Sequence, residues 1–150
     1  MLDWFLVAEP EIVVFESPDP QHVFAYSPGI TRFAPANAAS PVARAHEADS
    51  GGSPNGDHGS VARGRLVATI DLGGPGMVDW PEPKRLRYGR PKQGKVFVSD
   101  DGGAAWRHVH DFPAMMARPF CAGDSLYVLG LAEDLCIIRS DDGGETWTEP

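Results

Sequence analysis

Ser99-Asp-Asp-Gly-Gly-Ala-Ala-Trp106 returns downstream as Ser140-Asp-Asp-Gly-Gly-Glu-Thr-Trp147, with both the serines and the tryptophans 41 residues apart. Each copy follows a run of strand character, Lys95-Val-Phe-Val98 in the first and Cys136-Ile-Ile-Arg139 in the second. The octapeptide has a mechanical logic. Ser and Asp oxygens accept hydrogen bonds from backbone N–H groups of a turn and fix it locally. Paired glycines supply backbone angles with φ > 0 that other residues tolerate poorly. Trp then opens the returning strand and buries a large ring. Two β-hairpins of one design follow, at the period of about 40 residues that marks a four-stranded propeller blade. The Asp pairs read as turn staples and not as catalytic carboxylates. A calcium loop is the rival, but no bidentate Glu closes either copy at the required spacing.

Outward from the repeat, strand-like runs are short and separated by turn signals. They fall at 12–15, 29–33, 65–71, 95–99, 105–109, 117–121, 125–131 and 135–140, rich in Val, Ile, Leu, Phe and Tyr. No segment sustains a 3.6-residue apolar period. The chain has 17 Gly and 14 Pro in 150 residues, which disfavours a helical bundle and suits many turns. Between 34 and 63 the composition shifts to Ala, Ser, Gly, Pro, Asn and Asp, and its centre has almost nothing to bury; this reads as a surface insertion between two strands. A second connection, 73–94, carries Trp80, whose ring suggests that part of it packs, and the basic run Lys84-Arg-Leu-Arg87, which reads as a solvated loop.

The pattern Ser-x-Asp-x-Gly-x-Thr-Trp resembles the Asp box, or bacterial neuraminidase repeat, of sialidases and related six-bladed β-propellers. Ser140, Asp142, Gly144, Thr146 and Trp147 match every defined position; Ser99, Asp101, Gly103 and Trp106 match, with Ala105 where Thr is usual. The resemblance covers about 26–150 outside the insertion. It implies an all-β fold, a partial six-bladed β-propeller of about two four-stranded antiparallel blades, with the chain as the N-terminal part of such a domain. The first blade would be 29–33, 65–71, 95–99 and 105–109. The second would be 117–121, 125–131, 135–140 and a last strand from Thr146, while 12–15 would be a strand of another blade. With a period of 41, the 150 residues hold two to three blades, too few to close a ring of four to eight, so the chain is expected to be incomplete.

The family places its Asp boxes on the face opposite the active site. The funnel would then receive Tyr26-Ser-Pro28, 71–94, 112–118 and 131–134. The implied function is that of a sialidase-like glycoside hydrolase, exo-acting on terminal sugars of glycans. Asp79 is the first candidate for the acid/base and Asp71 the second. Arg118, Arg32, Glu133 and Asp134 are the candidates for substrate binding, since a planar guanidinium matches a carboxylate bidentately. The family's first arginine stands before an Ile-Pro pair, where this chain reads Tyr26-Ser27-Pro28. Its Tyr–Glu nucleophile pair belongs to later blades. The competing class is a non-catalytic Asp-box propeller serving as a carbohydrate-binding or protein-interaction scaffold.

The remaining features are plainer. A formal charge of −8 disfavours nucleic acid as a partner, and no apolar run of about 18 residues predicts a membrane span. Residues 1–8 lack the basic leader of a secretory signal, although the family is often secreted or periplasmic. Cys121 and Cys136 sit on segments that could pair as strands, so a disulfide is open, with two buried free thiols as the main reading. His108-Val-His110 puts two imidazoles on one strand face without a third metal ligand. No cofactor motif is present.

Overall fold

Alternation of apolar residues along the chain resolves into eight strands among the described residues, which in this computed structural model are 12–34, 64–83, 85–87 and 90–150. In chain order they are β1 (Phe24–Phe33), β2 (Arg65–Gly73), β3 (Arg85–Arg87), β4 (Arg90–Ser99), β5 (Arg107–Phe112), β6 (Met115–Ala122), β7 (Ser125–Leu131) and β8 (Leu135–Ser140). A single 3₁₀ turn, Pro75–Asp79, follows β2. The protein is all-β, in two antiparallel sheets. The first runs β1-β2-β4 with β5 on the far side of β4, and β3 forms a hairpin arm on the start of β4. The second runs β6-β7-β8. Nearly all of the inserted stretch expected at 34–63 lies outside the described residues, as do Lys84, Tyr88 and Gly89.

β2 and β4 are buried on both faces, and their alternation divides the interior into two layers. Val67, Val96 and Val98 face the second sheet and pack with Phe33, Phe112, Ala117, Leu126, Val128 and Ile138. Ala68, Ile70, Leu72 and Phe97 face the other way and pack with Val23 and Met77. Val14, Phe15 and Trp80 cover that outer layer, with the Phe15 ring 6.1 Å from that of Phe97. Fully burying a Val or Leu side chain is worth about 1.5–3 kcal/mol, so these two layers dominate cohesion.

The sheets meet along β1, β2 and β6. Gly29 makes the approach possible: a Cβ there would stand 2.7 Å from the Pro119 ring, closer than real side chains come, and a tight 3.1 Å from the Ala117 carbonyl. Thr69 Oγ1 donates to the Ala117 carbonyl at 3.0 Å across the same seam.

Several expectations need correction. Residues 12–15 are not a strand; Val14 and Phe15 lie against the outer layer without joining a sheet, and Ile12 and Val13 are exposed. The segment after Thr146 is not a strand either, although the Thr148 N–H donates to the Arg139 carbonyl at 2.9 Å. The basic stretch is not a loop throughout, because Arg85–Arg87 pairs with 90–92 as β3. Trp80 does pack, and its Nε1 donates to Gln93 Oε1 at 2.8 Å. Cys121 and Cys136 are both free, and Cys121 is exposed where burial was expected. A bulge between Val96 and Phe97 pairs His110 with Val96 and His108 with Phe97, so the two imidazoles leave on opposite faces. No group of three or more potential ligand side chains that could hold a metal occurs among the described residues. No described helix is long and apolar enough to cross a membrane.

Candidate functional site

The two octapeptides form turns at the same end of the sheets, and their bonding repeats atom for atom. Ser99 Oγ and Ser140 Oγ each accept from a glycine N–H, of Gly103 and Gly144, at 2.8 Å. Each hydroxyl donates to Oδ1 of its own Asp, Asp101 or Asp142, at 2.8 Å. Those oxygens accept from the N–H of Ala105 and Thr146 at 2.9 Å. Trp106 and Trp147 donate Nε1–H to the carbonyls of Gly103 and Gly144 at 3.0 Å. The glycines stand at φ +103° and +94°, left-handed conformations that strain any side chain. Thr146 adds a hydroxyl bond to Asp142 that Ala105 cannot supply.

These bonds hold the Asp101 and Asp142 carboxyls below the usual range, led for Asp101 by the Ala105 N–H and for Asp142 by the Thr146 hydroxyl. Arg65 locks one turn to the other. Its guanidinium reaches Asp100 Oδ1 at 2.6 Å, the Gly143 carbonyl at 2.9 Å and Glu145 Oε1 at 2.6 Å. Arg107 also reaches Glu145, and the two guanidiniums, Arg107 foremost, lower its carboxyl. The Asp101 and Asp142 carboxylates are thus consumed in holding their turns, whereas Asp100 and Asp141, expected as staples too, bind Arg65 and the Ser125–Arg139 pair instead.

The opposite end gathers most of the candidate residues. Asp71 stands at the far end of β2, Asp79 closes the 3₁₀ turn behind it, Arg118 lies near the start of β6, and Glu133 and Asp134 form the β7–β8 turn. Arg32 is not brought there. It pairs with Leu66, five residues from Asp71 along β2, or roughly 17 Å at about 3.3 Å per residue.

Asp71 is only 1% exposed. Its carboxylate accepts from the Met116 N–H and, at 3.3 Å, from the Ala117 N–H, with the Ser27 hydroxyl as a third donor. Burial pushes its carboxyl up, against those donors and the Arg118 charge. Arg118 Nη1 donates to the carbonyls of Ser27 at 3.0 Å and Ala117 at 2.9 Å. Ser27 and Met116 both adopt positive φ, 48° and 55°, each inside a bulge of its strand. A left-handed non-glycine residue costs on the order of 1–3 kcal/mol, so this locus holds two strained positions around one buried carboxylate.

Asp71 therefore works as a joint between sheets, whereas Asp79, Arg118, Glu133 and Asp134 are exposed. Glu133 and Asp134 line a shallow hollow with Pro113, Leu135 and Cys136. The same end carries an aromatic pair absent from the sequence candidates. Phe24 and Tyr26 are exposed and meet edge to face at 6.2 Å, with Lys92 Nζ 4.7 Å from the Tyr26 ring centre. Their i, i+2 spacing just before Ser27 was the available signal. An exposed ring beside carboxylates and guanidinium can stack on a sugar face while the polar groups meet its hydroxyls. Comparison with known proteins finds no family model, curated protein or solved structure that matches this chain.

Proposed function

We propose that the chain belongs to a sialidase-like glycoside hydrolase, a β-propeller exo-acting on terminal sugars of glycans. The observation that carries the reading is the pair of Asp-box-like turns, which share the same Ser, Asp, Gly and Trp hydrogen bonds and are set at one end of successive antiparallel sheets. The family's active site lies away from such turns, and Asp79, Arg118, Glu133 and Asp134 share the end away from them here. Asp79 is the acid/base in this reading. Arg118 meets a substrate carboxylate, Glu133 and Asp134 meet hydroxyls, and Tyr26 stacks on the ring. No cofactor enters.

A second reading, a non-catalytic carbohydrate-binding or protein-interaction scaffold, is favoured by one observation: Asp71, the other acid candidate, is buried and engaged with backbone. Titrating the chain with sialyllactose and with lactose, followed by amide NMR shifts, tests the shared glycan claim. Saturable shifts confined to 24–27, 79, 118 and 133–134 are expected. Shifts at the octapeptide turns alone, or none, would sink both glycan readings. Because the family draws its nucleophile pair from blades other than these two, the 150-residue chain is expected to leave a fluorogenic sialoside uncleaved; turnover by it would overturn that division of labour.

A further inference from the structure

One stretch reverses the charge of the chain. Arg85, Arg87, Arg90 and Lys92 are four of its 13 Lys and Arg, and they fall within eight residues that hold no Asp or Glu. The rest is therefore more acidic still than the overall −8. These cations lie on the hairpin of β3 and β4, a ribbon that outruns the sheet. β2 pairs with β4 only as far as Gln93 and β5 only as far as Gly94, so among the described strands 90–92 pair with β3 alone.

Register gathers the four. Arg85 is paired with Lys92 and Arg87 with Arg90, while Leu86 and Pro91 form the pair between them. Paired residues share a face of an antiparallel ladder, and so do alternate residues along a strand. All four positions belong to one face, and alternation through Gly94 to Val96 makes it the side of β4 that packs on the second sheet. Successive cation rows stand about 7 Å apart, two residues of a strand. Like charges directly opposite destabilise a strand pair, and a two-stranded ribbon is marginal by itself. The base is clamped accordingly. Gln93 is fully buried, donates to the carbonyls of Pro81 at 3.1 Å and Pro83 at 2.7 Å, and accepts from Trp80 at 2.8 Å.

We infer that the ribbon binds a sulfated glycan, with one sulfate ester to each row of cations. Each row pairs two cations, more donors than one planar carboxylate matches, whereas a sulfate has three terminal oxygens to share between both. At the base of the ribbon Lys92 reaches the exposed Phe24–Tyr26 pair, its Nζ 4.7 Å from the Tyr26 ring centre. The cationic face thus runs into rings on which a sugar can stack. A nucleic-acid strand does not fit. It is charged at every residue, and past the ribbon it would meet the acidic remainder within the Debye length of about 8–10 Å. Neutral sugars continue past the ribbon with hydroxyls that donate to carboxylates. That the ligand is a glycan rests on the reading above; the sulfate and the ribbon do not.

The test titrates the full chain with a chondroitin sulfate hexasaccharide, with the same hexasaccharide freed of sulfate, and with hexathymidylate, followed by amide NMR shifts. The sulfated sugar is expected to bind at least ~10-fold more tightly than the other two. Its shifts fall on Lys92, Gln93, Gly94 and Tyr26, and its binding weakens as salt is raised. Arg87→Gln with Arg90→Gln should remove the preference, while the urea midpoint holds or rises because facing like charges are relieved. Equal binding of the desulfated sugar overturns the proposal, as does hexathymidylate binding as tightly, or a preference that survives both substitutions. A lower urea midpoint in the double variant also overturns it, since the guanidiniums would then be holding the ribbon together. Sialyllactose carries no sulfate, so a response to it at 79 and 133–134 without one here, or the reverse, tells the two proposals apart.

Discussion

At Ser140 one hydroxyl closes a turn from both sides, accepting from Gly144 and donating to Asp142 while itself only 1% exposed. Ser140→Ala leaves the Gly144 N–H buried without a partner, a loss of about 1–3 kcal/mol. Ser99→Ala is expected to match it, as its bonds have the same lengths. The copies differ at two residues, Ala104 against Glu145 and Ala105 against Thr146. Ala105→Thr supplies the hydroxyl that Thr146 already offers Asp142 and should stabilise the first turn by about 0.5–1 kcal/mol. Urea midpoints of the three variants check this, and a destabilised Ala105→Thr would show that the turns are not equivalent. These residues were legible from sequence because their roles are local, set by spacing within eight positions.

Single elements show where legibility ended. The strand cores were readable because alternation in β2 and β4 is a property of consecutive residues. Residues 12–15 have strand composition, yet Phe15 is used to cover the outer layer, a choice made by the neighbouring sheet. His108 and His110 part company because a bulge intervenes, and the bulges at Ser27 and Met116 carry no glycine to announce them. The grouping of Asp79, Arg118, Glu133 and Asp134 followed from strand order, whereas the burial of Asp71 depended on β6, 45 residues away. Arg65 is the element-scale device that sequence did not reveal, since its partners are 35 and 80 residues distant. Arg65→Met should cost on the order of 1–3 kcal/mol, because the side chain is only 21% exposed and binds two carboxylates. Hydrogen exchange should quicken at both turns together; quickening at one alone would mean they are not coupled.

For the molecule as a whole, pH acts through groups of opposite sign. Burial lowers the His110 imidazole, which stacks on Trp147 at 6.4 Å, with the Asp111 and Glu149 charges opposing. A lowered His binds its proton more readily when unfolded, so stability falls as pH drops through about 6.5. The carboxyls of Asp101, Asp142 and Glu145 are held low by their hydrogen bonds, so their contribution is present above about pH 4 and is lost as pH falls further. Asp71 is raised by burial and runs the other way, favouring the folded state as it takes up its proton. Unfolding midpoints should therefore decline in two stages, near pH 6 and again below about pH 4. His110→Gln should remove the first stage and spare the second. A midpoint that stays flat from pH 7.5 to 5 in the parent chain would refute the His110 part.

The Asp71 joint has one more consequence. It grips main chain, since its carboxylate takes the N–H groups of Met116 and Ala117 and no side chain of β6. The seam therefore takes no bond from the side chain of residue 116, which is half exposed, although its φ of +55° still favours glycine or asparagine there over a branched residue. Sequence drift can rewrite the outer surface of β6 around that contact without loosening it. An imino acid, which has no N–H to offer, is barred from both places.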